Sequence, residues 1–134
     1  MNVFIPGIAE LITHLKEKEI KVCILYGSAA ADRLRTDSDI DIAVAADNEL
    51  SPEQLKMLYL EATSLLGREV DLRDLRKAHG LFLKEILTRG TILLNMDPQF
   101  LGNKAIEMMD YQTDLAPHIN SIRTQQLQRI LNAK

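Results

Sequence analysis

The segment DIDIAVA at residues 39–45 alternates so regularly that only an extended strand fits it. Successive side chains of a strand point to opposite faces, so the apolar residues of this segment share one face. They are Ile40, Ile42 and Val44. The other face carries Asp39 and Asp41, which the period of two places side by side. The chain is therefore expected to build a sheet with one apolar face and two neighbouring carboxylates on the other.

Further strands and helices are predicted on both sides of this segment. Strand patterns occur at residues 20–26, 69–72 and 91–95. Helical spacing of apolar residues begins at residues 8, 52, 79 and 97, with a shorter helical piece at residues 29–34. Ser51 and Pro52 form a typical helix start, and Gly67 and Gly90 are typical helix ends. This order predicts an α/β or α+β domain with one sheet of about four strands.

The domain organisation follows from the same order of elements. Residues 1–96 contain all the predicted strands, and residues 97–134 form a helical tail that Pro117 interrupts. Two interpretations of the tail stay open: its apolar stripe packs on the sheet, or it is an exposed surface for a partner. The second interpretation rests on one set of side chains: Met108, Met109, Tyr111, Leu115 and Ile119.

Composition excludes several classes of protein. The chain has 134 residues, enough for one domain, and a net charge of −3 without a basic run, which argues against direct nucleic-acid binding. A single cysteine, Cys23, excludes an internal disulfide and a cysteine zinc cluster. No apolar stretch reaches about 18 residues, and the first residues lack a secretory pattern. We therefore expect a cytoplasmic protein without a membrane span.

Two short motifs lie at the facing ends of the first two strands. Gly27-Ser28 follows residues 20–26, and Asp39-x-Asp41 begins the next strand after ten intervening residues. Glycine lets a backbone approach a phosphate because it has no Cβ, and Ser28 near a helix start offers a hydroxyl and N–H groups to the same anion. The paired carboxylates repel each other unless a divalent cation such as Mg²⁺ lies between them. Together the motifs predict a site for a nucleoside triphosphate and a metal.

A third carboxylate, Asp71, lies on the short strand at residues 69–72. Its apolar neighbours Val70 and Leu72 share one face, so the Asp71 side chain points to the other. If this strand is next to the one that carries Asp39 and Asp41, the three carboxylates converge. Asp71 would then bind a second metal ion and take the proton from an attacking hydroxyl. The alternative is that Asp71 is a surface partner of Arg68 or Arg73.

These motifs resemble those of the DNA-polymerase-β-like nucleotidyltransferase superfamily. The small size and the segment TDSDIDIAV at residues 36–44 are most similar to its minimal nucleotidyltransferase, or MNT, antitoxin branch. The resemblance implies a mixed sheet flanked by helices, with ATP as nucleotide donor and Mg²⁺ as cofactor. It also implies roles for single residues. Gly27 and Ser28 match the phosphate-binding pair, Asp39 and Asp41 the metal-binding pair, and Asp71 the third metal-binding and catalytic carboxylate.

One position departs from the family pattern. Members often carry an arginine directly after the Gly-Ser pair, whereas this chain has Ala29. Arg33 or Arg35 is the candidate to supply the positive charge that this position lacks.

The resemblance also implies a biological role. Many MNT proteins are antitoxins encoded beside a HEPN-domain ribonuclease, so we expect the antitoxin of a type VII toxin–antitoxin pair. Its activity would be the transfer of AMP from ATP to a tyrosine hydroxyl of that toxin, which inactivates it. Two alternatives stay open: an antitoxin that binds and occludes its toxin without catalysis, and a nucleotidyltransferase whose acceptor is a small molecule. Little chain remains beyond the predicted catalytic core to form a second pocket, which favours a protein acceptor.

Overall fold

A computed structural model of the chain describes residues 5–27 and 39–115. The four helices in these ranges are α1 (Ile8–Glu17), α2 (Pro52–Leu66), α3 (Gly80–Arg89) and α4 (Pro98–Leu115). The four strands are β1 (Val22–Tyr26), β2 (Ile40–Ala45), β3 (Val70–Asp74) and β4 (Thr91–Asn95), and a short 3-10 helix, Leu75–Lys77, follows β3. The predicted strands and helices are confirmed to within two residues at most ends, while the helical piece predicted at residues 29–34 lies outside the described residues.

The four strands form one mixed sheet in the order β3-β2-β1-β4. The central pair β1 and β2 is antiparallel, as is the pair β1 and β4, whereas β2 and β3 are parallel. Parallel neighbours need a crossover, and helix α2 provides it between β2 and β3. The mixed sheet that the family resemblance implied is thus confirmed.

Helix α2 has clear start and stop signals that hold this crossover in place. The Ser51 hydroxyl accepts a hydrogen bond from the Gln54 N–H at 3.1 Å, and the Gln54 side chain accepts one from the Ser51 N–H at 2.8 Å. This reciprocal capping box satisfies two N–H groups that the helix start leaves unpaired. At the other end Gly67 has φ 65°, a left-handed conformation typical of a glycine that ends a helix.

One face of the sheet packs against α1 and α2. The three apolar residues that the alternation of β2 placed on one side, Ile40, Ile42 and Val44, are fully buried there. They join residues from both helices and the neighbouring strands: Leu11, Leu15, Cys23, Leu25, Leu58, Ala62, Leu66 and Val70. Cys23 is therefore a core residue, and burial raises the pKa of its thiol to about 12.

The opposite face of the sheet packs against α3 and α4. Its buried residues come from both helices and from the central strands: Val22, Ile24, Tyr26, Ala43, Leu83, Ile86, Leu87, Leu101, Ala105 and Met108. Helix α4, the first part of the predicted tail, thus contributes to this second core. Met108 is 1% exposed, whereas its neighbour Met109 is 39% exposed. Ile119, in the remainder of the tail, lies outside the described residues. Among the described residues, no helix is long and apolar enough to cross a membrane.

Candidate active site

Three polar side chains form a row across the end of the sheet. Tyr26, the last residue of β1, is in register with Asp41 of β2, and Asp41 is in register with Asp71 of β3. Residues in register on adjacent strands point to the same face, so all three side chains lie on the α3 side. Asp71 thus has the side-chain direction that its strand pattern predicted, and the two carboxylates are direct cross-strand neighbours.

The backbone next to this row gives the Asp41 carboxylate room. Gly27 has φ 72°, and a Cβ at this position would lie 2.2 Å from Oδ2 of Asp41. Any other residue would displace that carboxylate, because real Cβ atoms do not approach an oxygen so closely. The sequence predicted that Gly27 makes room for a phosphate, and in the structure the space beside Gly27 is occupied by a carboxylate oxygen of Asp41.

The neighbouring charges make the ionised form of Asp41 costly. Burial raises the pKa of the Asp41 carboxyl above its usual range, and nearby negative groups raise it further: Asp71, Asp39 and Glu85. Arg73 lowers it in part. A divalent cation beside Asp41 and Asp71 would reverse this balance, since its charge favours the ionised form of both. Two half-buried carboxylates on adjacent strands are therefore a donor set that suits Mg²⁺.

The predicted residues are only partly brought together. Asp41 and Asp71 are adjacent, and Asp39 is an exposed residue just before β2 whose charge reaches Asp41. Within residues 5–27 and 39–115, no group of three or more His, Cys, Asp or Glu side chains is arranged to hold a metal ion. Asp71 is in addition engaged by an arginine. The other predicted binding residues, Ser28, Arg33 and Arg35, lie outside the described residues.

Arg73 is the arginine that engages Asp71. Its Nε donates a hydrogen bond to Oδ1 of Asp71 at 2.9 Å. The pairing of Asp71 with an arginine is therefore present, and Asp71 is at the same time the cross-strand neighbour of Asp41. The Arg73 guanidinium also lies over the ring of Phe82 in α3, with its carbon 5.6 Å from the ring centroid. This hydrogen bond raises the pKa of Arg73. The arginine therefore stays charged beside the two carboxylates.

Tyr26 completes the inner wall of the site. Its ring packs edge-on against Phe82 with centroids 5.8 Å apart. Burial raises the pKa of the Tyr26 hydroxyl, and the charges of Asp71 and Asp41 raise it further, so the hydroxyl keeps its proton. An uncharged, rigid aromatic pair thus closes one side of the acidic row.

Comparison with known proteins identifies the family of this chain. Residues 9–99, from α1 to the first turn of α4, match the polymerase beta nucleotidyltransferase family. The chain belongs to that family. The match includes all four strands, and so both Asp41 and Asp71.

Individual relatives of this nucleotidyltransferase are similar over most of their length. The protein adenylyltransferase MntA of Shewanella oneidensis is 30% identical over 95 residues, which cover 69% of this chain and 68% of MntA. A solved complex of a tri-AMPylated Shewanella oneidensis HEPN toxin with an MNT antitoxin contains a chain with 26% identity and a TM-score of 0.66. The match covers 83% of this chain and 87% of that one.

A second solved structure relates the fold to a nucleotide. A toxin–antitoxin complex with AMP-PNP contains a chain with 26% identity and a TM-score of 0.63, and the match covers 80% of this chain and 82% of that one. The relatives are therefore nucleotidyltransferases and toxin–antitoxin components of the same fold as this chain.

Two residues that contribute to the site, Arg73 and Phe82, were not predicted as site residues from the sequence. Arg73 was considered only as a surface partner of Asp71, although its position two residues along the same strand places both side chains on one face. Phe82 had no local signal, because α3 brings it to the sheet from a separate part of the chain. For Arg73, the signal available in the sequence was its spacing of two residues from Asp71 on the same strand.

Proposed function

We propose that this nucleotidyltransferase is an Mg²⁺-dependent antitoxin of a type VII toxin–antitoxin pair. It transfers AMP from ATP to a tyrosine hydroxyl of a HEPN-domain ribonuclease toxin and so inactivates it. The observation that carries the proposal is the in-register pairing of Asp41 and Asp71 on one face of the sheet, beside a glycine that leaves space for the Asp41 carboxylate. Neither carboxylate has a role in the apolar core, and their mutual repulsion costs stability unless a cation is bound.

The reaction is an in-line displacement at the α-phosphorus of ATP. The acceptor oxygen forms a bond to that phosphorus, the bond to the bridging oxygen breaks, and pyrophosphate leaves with the electron pair. The proton of the acceptor hydroxyl passes to a carboxylate oxygen of Asp71. Asp71 is 41% exposed through its side chain, so an acceptor from a second protein can reach it.

Asp39, Asp41 and Asp71 are the residues that would hold Mg²⁺. When bound, the metal supplies positive charge beside the reacting phosphate and the departing pyrophosphate. The other residues of the site position the carboxylates and shield them from water. Gly27 gives the Asp41 carboxylate its place, and the pair of Tyr26 and Phe82 excludes water from one side.

The acceptor is inferred from the relatives. One of them is named a protein adenylyltransferase, and another was solved in complex with an AMPylated HEPN toxin. The structure is consistent with a protein acceptor, because the acidic row lies at the surface beside α3. Phe82 of α3, an apolar residue that is 39% exposed, borders it.

The test is a transfer assay with a HEPN ribonuclease, taken first from the gene beside this one. The toxin is incubated with ATP labelled on the α-phosphate, Mg²⁺, and either the wild-type chain or the variant with Asp39→Asn and Asp41→Asn. We expect label on the toxin only with the wild type, and none when a toxin tyrosine at the acceptor position is replaced by phenylalanine.

A matched control removes two carboxylates at the other end of β2. Asp47→Asn with Glu49→Gln changes the net charge equally, and both residues are exposed in the loop after β2. This control should transfer label as well as the wild type does. If the Asp39 and Asp41 variant still protects cells from the toxin as well as the wild type, the antitoxin acts by occlusion and the catalytic proposal is wrong.

A further inference from the structure

Arg73 is held between two partners at the edge of the carboxylate row. On one side its Nε donates to Asp71, and on the other its guanidinium lies over the Phe82 ring. A long, flexible side chain whose guanidinium is held by two contacts has already lost much of the rotamer entropy that binding a ligand would otherwise cost. The guanidinium is thus pre-positioned beside Asp71, although the side chain is 56% exposed.

The guanidinium uses only part of its hydrogen-bonding capacity. Asp71 accepts from Nε, and no other residue in the described ranges accepts from the two terminal nitrogens. An arginine with a carboxylate as its structural partner commonly makes two parallel bonds, as the fork of donors allows. Among the described residues, the single bond to Asp71 leaves four N–H groups of the guanidinium without an acceptor.

The charges around Arg73 favour an anionic ligand at that position. The edge of the sheet is acidic, because Asp41 has three negative neighbours that raise its pKa: Asp71, Asp39 and Glu85. The positive charge of Arg73 acts in the opposite direction and lowers the pKa of Asp41. A nucleoside triphosphate would be repelled by such an edge without a fixed cation near the reacting phosphate.

We infer that Arg73 is a nucleotide-binding residue whose terminal guanidinium nitrogens donate hydrogen bonds to phosphate oxygens of ATP. The inference rests on the proposed function, since it places the reacting phosphate beside Asp41 and Asp71. Any phosphate that shares a bound cation with Asp71 lies next to the guanidinium, because Nε of Arg73 is already 2.9 Å from Oδ1 of Asp71. Arg73 thus supplies a fixed positive charge from β3 beside this phosphate.

The experiment measures the affinity for AMP-PNP with Mg²⁺ by titration calorimetry, so that no turnover is needed. Replacing a charged donor to a phosphate weakens binding substantially, and we expect Arg73→Gln to raise Kd about tenfold or more. Arg73→Lys keeps the charge without the fork and should give an intermediate Kd. Thermal melting of each variant establishes that it is folded.

Two comparisons separate this role from the alternatives. Lys56→Gln removes one positive charge from an exposed position on α2, on the opposite side of the sheet, and should leave Kd within about twofold of the wild type. Asp71→Ala removes the partner of Arg73. If Arg73 binds phosphate directly, Arg73→Gln still weakens binding in that background, whereas a residue that only positions Asp71 has no further effect there.

The inference is wrong if Arg73→Gln leaves the Kd for AMP-PNP unchanged. It is also wrong if Arg73→Gln raises that Kd in the wild-type background but not in the Asp71→Ala background. The outcome is separable from that of the proposed function. A chain that transfers AMP but binds nucleotide equally well without Arg73 refutes the role of Arg73 only. A chain that binds nucleotide through Arg73 but labels no toxin refutes the proposed transfer only.

Discussion

Gly27 and Asp41 approach so closely that the main chain of one defines the position of the other's carboxylate. A Cβ on residue 27 would lie 2.2 Å from Oδ2 and 3.1 Å from Cγ of Asp41. Gly27 directly follows β1 and Asp41 is on the antiparallel strand β2, at the end of the sheet where Tyr26 is in register with Asp41. The glycine is therefore a structural requirement of the acidic row.

Gly27→Ala should abolish transfer as well as destabilise the fold. The left-handed backbone at residue 27 costs an alanine about 1 kcal/mol, and the added methyl displaces the Asp41 carboxylate. Gly67→Ala is the matched control, because Gly67 has a similar φ of 65° but nothing within 4 Å of an added Cβ. Urea denaturation should give both variants a similar loss of stability. Transfer activity equal in the two variants would show that the contact with Asp41 is unimportant.

Asp41→Asn should stabilise the metal-free protein while removing its activity. The raised pKa of Asp41 means that the fold favours the protonated carboxyl, so its stabilising contribution is lost as pH rises through the folded-state pKa. At neutral pH the variant should be more stable by roughly 0.2–1 kcal/mol, the range for a cross-strand pair of like charges. Mg²⁺ should then stabilise the wild type and not the variant in thermal melts. A variant less stable than the metal-free wild type would contradict this account.

Glu107 should make a pH-dependent contribution to stability. Burial alone raises the pKa of its carboxyl, but hydrogen bonds with His79 at 2.6 Å and Lys104 at 3.4 Å outweigh burial and lower it. The stabilisation is therefore present above the ordinary carboxyl pKa of 4.5 and lost as pH falls through the folded-state value. Glu107→Gln should cost roughly 0.5–1 kcal/mol at pH 7 in urea denaturation and converge with the wild type in acid. A pH-independent difference would mean that charge is not involved.

Replacing Met108 with alanine should cost much more stability than replacing Met109, although the two residues are neighbours on α4. Met108 is 1% exposed in the second core, so Met108→Ala should cost about 2–4 kcal/mol through lost burial and a cavity. Met109 is 39% exposed, and Met109→Ala should change stability by about 0.5 kcal/mol or less. Urea denaturation of the two variants measures both values. Equal losses would show that α4 does not pack on the sheet as the structure has it.

The partners of two histidines could not be predicted from the sequence around them. In the structure His14 lies 2.8 Å from Glu61 and His79 lies 2.6 Å from Glu107, and His79 precedes α3 without a side-chain capping bond. Glu61 is on α2 and Glu107 is on α4, far along the chain from the histidine that each contacts, so no local spacing indicated either pair.

The sequence by itself determined the faces of the strands and the residue types of the site. Periodicity is a local property, so DIDIAVA was sufficient to bury Ile40 and Ile42 and to turn Asp41 to the other side. Only the tertiary structure decided that β3 lies parallel beside β2 with Asp71 opposite Asp41, and that Arg73 and Phe82 close around them. Strand order and register depend on how distant segments bury their apolar surfaces together, and such long-range packing leaves no trace in the spacing of neighbouring residues.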